Sequence, residues 1–160
     1  TRVRSSAASD VYKRQIMKGV MVMCKLGDII FVKEYFGSDG KKVNQHSFVV
    51  INDKKDFIEG LCYDFVANVM LSFHNEEHKA RKLKYKSNLP IKEEKVSGED
   101  LNDREGYIRA DELYYFNKNK IQYKVIAHMD PELLDELVQL ILLLHDENKL
   151  KIVTKNLEEI

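Results

Sequence analysis

Ser47-Phe48-Val49-Val50-Ile51, closed by Asn52-Asp53, is the stretch whose reading decides the fold. It is apolar and β-branched, it is too short for a helix, and it stops at two residues whose side chains favour turns, so it predicts a buried strand. Upstream, Ile29-Ile30-Phe31-Val32 forms a second short apolar run that ends in Glu34, Tyr35 and the glycine-punctuated Gly37-Ser38-Asp39-Gly40. This predicts a strand followed by a polar loop to about Gln45. Downstream, the run from Phe65 to Phe73 contains Asn68 and Ser72; its pattern admits strand or helix, and strands on both sides favour strand.

Beyond it, Asn75 to Lys86 is densely charged and predicts a short helix or turn leading into an edge strand, broken at Ser87-Asn88-Leu89-Pro90. Ile91 to Gly106 is expected to be a solvated loop. Tyr107 to Phe116 and Ile121 to Met129 read as two more strands, joined at Asn117-Lys118-Asn119. Five to six strands or more in this span predict a mainly β, α+β fold built on a small barrel.

The chain then changes character. Asp130-Pro131-Glu132 supplies an N-cap, a first-turn proline and a first-turn acid. Apolar residues follow at 133, 134, 137, 140, 141 and 144, so a C-terminal amphipathic helix is expected. Its Leu133, Leu137, Leu140, Ile141 and Leu144 face would pack on the barrel or across a dimer, and periodicity leaves both open. Residues 147–160 form a charged, weakly patterned tail.

With 44% hydrophobic and 32% charged residues and only 2 prolines and 7 glycines, the composition is that of a folding globular chain. Residues 1–15 resemble translated adaptor or vector sequence, with Met17, Met21 and Met23 as candidate starts, which leaves 16–146 as one domain. Setting aside Arg2, Arg4, Lys13, Arg14 and Asp10, 22 basic and 25 acidic residues remain. A globally basic nucleic-acid footprint is therefore missing, and any RNA contact must use a local patch. No apolar run reaches the roughly 20 residues that span a bilayer, so no membrane association is expected. Cys24 and Cys62, without a signal-like segment, suit a reducing compartment, the cytoplasm.

The order of parts resembles the MazF/PemK toxin family over roughly residues 26 to 145. Gly27-Asp28 matches the Gly-Asp pair that opens the family's first strand. His46-Ser47-Phe48-Val49-Val50-Ile51 matches its Arg-Pro-Val-Val-Ile type strand, and Ser72 matches the Thr or Ser that ends its third. Tyr107-Ile108-Arg109-Ala110-Asp111-Glu112-Leu113, and Ile126 to Leu134, follow its last strands and helix. The resemblance implies an SH3-like barrel, a homodimer, cleavage of single-stranded RNA without metal or other cofactor, and a cognate antitoxin. That antitoxin is a protein, or a repetitive RNA as in the related ToxN and AbiQ kind.

One departure concerns the chemistry. Where the family carries arginine before the second strand, this chain has His46, which loses a bidentate phosphate donor and gains a group that exchanges protons near neutrality. Metal-free RNA cleavage needs a base for the 2'-hydroxyl proton, an acid for the leaving oxygen and donors for the phosphorane charge. His46 is the expected acid or base and Ser72 an expected donor. Arg81, Lys82 and Lys84 would lie against the backbone, Tyr35 and Phe36 would stack on bases or pack, and Lys33, Lys42 and Ser47 are further expected RNA contacts. Two other classes compete. His74-Asn75-Glu76-Glu77-His78 matches a His-x-x-Glu-His zinc pattern that requires both imidazoles on one helix face, and a non-catalytic binding barrel needs none of this chemistry.

Overall fold

The structure, a computed structural model, describes residues 23–54, 62–91, 96–97 and 105–158. The stretch read first lies in β2 (Lys42–Asn52), which forms an antiparallel hairpin with β1 (Asp28–Phe36). Gly40 makes the connecting turn with φ of +80°, and the Gly37 N–H donates to the Lys41 carbonyl at 2.8 Å. β2 begins at Lys42, earlier than the expected loop end at Gln45, because Val43 pairs with Tyr35 and packs against the core.

β3 (Phe65–Ser72) pairs with β2, so the ambiguous third run is a strand. α1 (Glu76–Lys82) starts at Asn75, whose side chain accepts from the His78 N–H at 2.8 Å. β4 (Asn88–Ile91) follows, then β5 (Val96–Ser97), β6 (Gly106–Arg109), β7 (Glu112–Phe116) and β8 (Tyr123–Met129). α2 (Pro131–Asp146) is capped by Asp130, whose side chain accepts from the Glu132 N–H. β9 (Lys151–Val153) and a 3-10 turn (Lys155–Leu157) complete the described chain.

The protein is thus β-rich α+β, with nine strands in one sheet ordered β4-β6-β3-β2-β1-β8-β5. β7 also pairs with β3, and β9 lies parallel to β7 as the one parallel pair among the described strands.

Several expectations are corrected. Ser87 to Pro90 does not break a strand but enters β4. Pro90 is tolerated there because β4 ends the strand path and needs no outward N–H. Gly106 belongs to a strand and is buried, since a Cβ there would run into the Leu71 carbonyl. Of the rest of the expected loop, Ile91 belongs to β4, Val96–Ser97 forms β5, which pairs with β8, and Glu105 accepts from Lys79 Nζ; the remainder lies outside the described residues. Consecutive β7 and β8 do not pair with each other; they pair with β3 and β1 respectively. The charged tail adds β9 to the sheet instead of trailing from it.

The expected single strand from Tyr107 to Phe116 is two strands with a turn at Ala110-Asp111. Both lie along β3, Met70 opposite Ile108 and Ala67 opposite Tyr114, so the turn inserts extra residues into one line of pairing. Asn68, fully buried at the gap, donates from Nδ2 to the carbonyls of Arg109 and Glu112, each at 3.0 Å. It supplies by side chain the ladder bonds that the insertion removes, while its buried Oδ1 has no partner among the described residues.

Side chains alternate between two apolar layers. On one face Val49, Val66, Ile108, Tyr115 and Met129 meet Leu133, Leu137, Ile141 and Leu144 of α2, which packs on its own sheet. On the other, Phe48, Val50, Phe65, Ala67, Val69, Tyr114 and Phe116 pack around Ile30 and Val32. Among the described residues no helix is long and apolar enough to cross a membrane.

Candidate active site

His46 sits where β2 leaves the second layer, paired with Val32 and half-buried. Its Nδ1 lies 3.0 Å from the Tyr35 hydroxyl, and the two rings meet edge-on with centroids 5.9 Å apart. Tyr35 in turn packs edge-on against Phe48 and Tyr114. The Tyr114 hydroxyl donates to Oε1 of Glu112 at 3.3 Å, and the same oxygen is 3.4 Å from Nη1 of Arg109. Arg109 Nε and Nη2 also donate to the Asp111 carboxylate at 3.3 and 3.1 Å. An unbroken chain of contacts therefore joins His46 on β2 to a guanidinium on β6 through Tyr35, Tyr114 and Glu112.

This arrangement follows from the split strand. The turn at Ala110-Asp111 holds Arg109 and Glu112 on the face shared with Tyr114, and Asn68 pins the carbonyls of both residues. Without the insertion, strand alternation would send Arg109 and Glu112 to opposite faces.

Burial depresses the His46 pKa below the ordinary imidazole value, with the Asn44 backbone opposing it weakly, so the ring is neutral near pH 7. A hydroxyl both donates and accepts, so the Tyr35 contact fixes the ring plane in either neutral tautomer. Burial, helped by the Glu112 charge, pushes Tyr35 and Tyr114 far above the usual phenol range, and both remain protonated. Burial also opposes the Arg109 charge, but Asp111 and Glu112 outweigh it and hold the guanidinium above its usual pKa. With one N–H on each nitrogen engaged, the second hydrogens of Nη1 and Nη2 are left to meet another acceptor.

The other expected site residues are placed unevenly. Ser72 does not converge with His46: Ser47 stands opposite Met70, the next rung sets His46 beside Leu71, and Ser72 falls on the Met70–Ile108 face. Ser47, opposite Phe31 and Met70, lies on that same far face. Tyr35 is 5% exposed and is unavailable for stacking on a base; its hydroxyl instead contacts His46. Lys33 is exposed, as is Lys42, which pairs with Glu34 at 3.6 Å.

Arg81 and Lys84 are exposed and Lys82 half-buried, all in or just after α1. Burial raises the Tyr107 pKa, while the charges of Arg109 and Arg81 pull it back. His74 and His78 do not ride one helix face. His74 precedes the helix, and its N–H donates to Nδ1 of His78 at 3.1 Å, occupying that nitrogen. Among the described residues, no three His, Cys, Asp or Glu side chains converge on a common point.

Gly27-Asp28 proves to be a fastening. Gly27 turns at φ of +86°, its carbonyl accepts from Met129, and buried Asp28 accepts from the Lys25 N–H at 2.8 Å and contacts His128 Nδ1 at 3.2 Å. The start of β1 is thus tied to β8.

Arg109, Glu112 and Tyr114 were not singled out as site residues from sequence. Their signal is present as an Arg-x-Asp-Glu cluster inside an otherwise aromatic strand, where exposed-face charge is the ordinary explanation. No family model matches this chain, and no curated protein matches it either.

Proposed function

We propose that the protein is the toxin component of a bacterial toxin–antitoxin system, a metal-independent endoribonuclease of the MazF/PemK-like type acting on single-stranded RNA. The observation that carries this reading is the contact chain from His46 to Arg109. The resemblance expects a guanidinium before the second strand; here that place holds an imidazole, and a guanidinium is delivered to the same face from β6. The second-layer side of the strongly paired β1–β3 sheet would form the inside of an SH3-like barrel.

In this reading neutral His46 removes the 2'-hydroxyl proton, and the 2'-oxygen attacks the adjacent phosphorus. The bond to the 5'-oxygen breaks, that oxygen takes a proton from water, and a 2',3'-cyclic phosphate remains. Arg109 donates to the phosphorane oxygens as charge develops, with Arg81, Lys82, Lys84, Lys33 and Lys42 along the backbone of the RNA. Tyr35 is a positioning residue. A homodimer, a cytoplasmic setting and a cognate antitoxin, protein or RNA, belong to the same proposal.

Incubation of a defined RNA with the purified protein in EDTA, with end mapping, tests it. Cleavage that leaves a 2',3'-cyclic phosphate and is lost in His46→Ala supports the reading, and intact RNA from folded protein overturns it. One observation favours a second reading: Arg109 is already flanked by Asp111 and Glu112, as in a purely structural ion pair. A non-catalytic RNA- or protein-binding barrel would then bind its partner equally well with His46→Ala.

A further inference from the structure

Tyr35, whose hydroxyl contacts His46, also lines an open cavity of about 600 Å3. Its walls come from three distant parts of the chain: the β1–β2 hairpin, the 119–122 turn before β8, and the segment after β9. These parts are locked together. Asn156, 5% exposed, accepts from the Phe36 N–H at 2.7 Å and donates to the Phe36 carbonyl at 2.9 Å. Lys120 Nζ donates to the Leu157 carbonyl at 2.7 Å, and the Lys33 N–H donates to the Gln122 carbonyl at 3.1 Å. Lys155 lies 5.7 Å from the centroid of the Phe36 ring.

The lining chemistry is specific. Lys33, Lys42 and Lys120 bring three cations against Glu34 and Glu158. Asn119 and Gln122 are exposed amides, each carrying a donor and an acceptor, which is what the hydrogen-bonding edge of a nucleobase requires. The volume falls within the range of small-ligand sites, about 300–1,000 Å3, and the walls are cross-braced before any ligand arrives. Tyr35 both lines the cavity and contacts His46, so the cavity and the imidazole share one residue.

We infer that this cavity seats one unpaired nucleotide of an RNA strand, the one next to the phosphate presented to His46. Gln122 and Asn119 meet the base edge, and Lys33 and Lys120 meet its phosphate. The inference deepens the ribonuclease reading and rests on it for the identity of the polymer, although nucleotide binding itself does not require cleavage.

The experiment is an NMR titration of the full chain carrying His46→Ala with each of the four ribonucleoside 5'-monophosphates, alongside the wild-type cleavage assay. Shift changes expected at Lys33, Gln122 and Asn156 should favour one base, and Gln122→Ala, with an unchanged Tm, should weaken that binding about tenfold, the loss of one good hydrogen-bonding unit. No binding at these residues, with RNA cleavage intact, overturns the cavity inference and spares the ribonuclease reading. Base-selective binding without cleavage by wild type keeps the cavity and removes the ribonuclease. Loss of both removes both.

Discussion

The hydroxyl of Tyr35 lies 3.0 Å from Nδ1 of His46, so this imidazole is held by a buried phenol from the neighbouring strand. The phenol is itself clamped edge-on by Phe48 and Tyr114, at 4.8 and 5.6 Å between centroids. The ring of His46 is therefore set by packing rather than by solvent. Its chemistry can be perturbed without touching it.

Replacing Tyr35 by Phe keeps the ring in its edge contacts and removes the hydroxyl alone. RNA cleavage should fall about five- to tenfold, the equivalent of one ordinary hydrogen bond of about 1 kcal/mol. KM should stay close to wild type, as expected of a positioning group. Steady-state kinetics on a short RNA separates the two parameters.

The depressed His46 pKa fixes the sign of a pH effect. With neutral His46 as the proposed base, kcat/KM should rise with pH along a limb whose midpoint lies below 6.5 and then level off. In the same window the unfolded chain binds more protons at this histidine than the folded one does. His46 thus adds nothing to stability above 6.5 and costs stability as pH falls through its folded pKa. A pH–rate profile measures the first effect, and denaturant melts of wild type and His46→Gln at pH 5 and pH 7.5 measure the second, with the wild type losing more on acidification.

Asn68→Ala removes both bonds to the Arg109–Glu112 turn, one to the part-buried Arg109 carbonyl and one to the buried Glu112 carbonyl. A loss of about 2–3 kcal/mol is expected in urea unfolding. Because the same bonds aim Arg109, activity of the folded fraction should fall as well.

Arg109→Lys retains the charge but cannot keep the forked contacts to Asp111 and Glu112. A stability loss of about 1–2 kcal/mol is expected, since the guanidinium is partly exposed while Glu112 is buried. A larger proportionate loss in cleavage than in the folded fraction would mark the phosphorane donor. Equal losses would mark a purely structural pair.

Ser72→Ala should leave cleavage within about twofold of wild type, because the hydroxyl leaves the sheet on the α2 side, away from His46. A drop of a hundredfold would place the reaction on the α2 side of β3 instead of beside His46.

Local pattern made much of this fold legible. The apolar run of β2, the glycines of the first turn and the Asp130-Pro131-Glu132 start of α2 each carry their structure in a few adjacent residues, and each is found where expected. What stayed hidden depends on distance. The break in the Tyr107–Phe116 strand is held by Asn68, 41 residues before Arg109, so no window around Ala110-Asp111 contains its cause. β9 is only three residues long and takes its strand form from β7. His46 was noticed because it departs from a family pattern. Nothing in the sequence around Glu112 shows that Tyr114 and Arg109 contact its carboxylate. Ser72 is joined to His46 only by the resemblance, whereas the register sets Ser72 one residue beyond the rung of His46 and so on the opposite face of the sheet.

The clasp of Asn156 on the backbone of Phe36 spans 120 positions of chain. During translation the β1–β2 hairpin leaves the ribosome long before its partner, so one wall of the cavity that Tyr35 lines is missing until residue 156 has been made and has cleared the exit tunnel. The hairpin can pair early, but this wall is finished only after α2 and β9 have been made, and a chain stopped after α2 would carry Tyr35 beside a cleft that lacks one side.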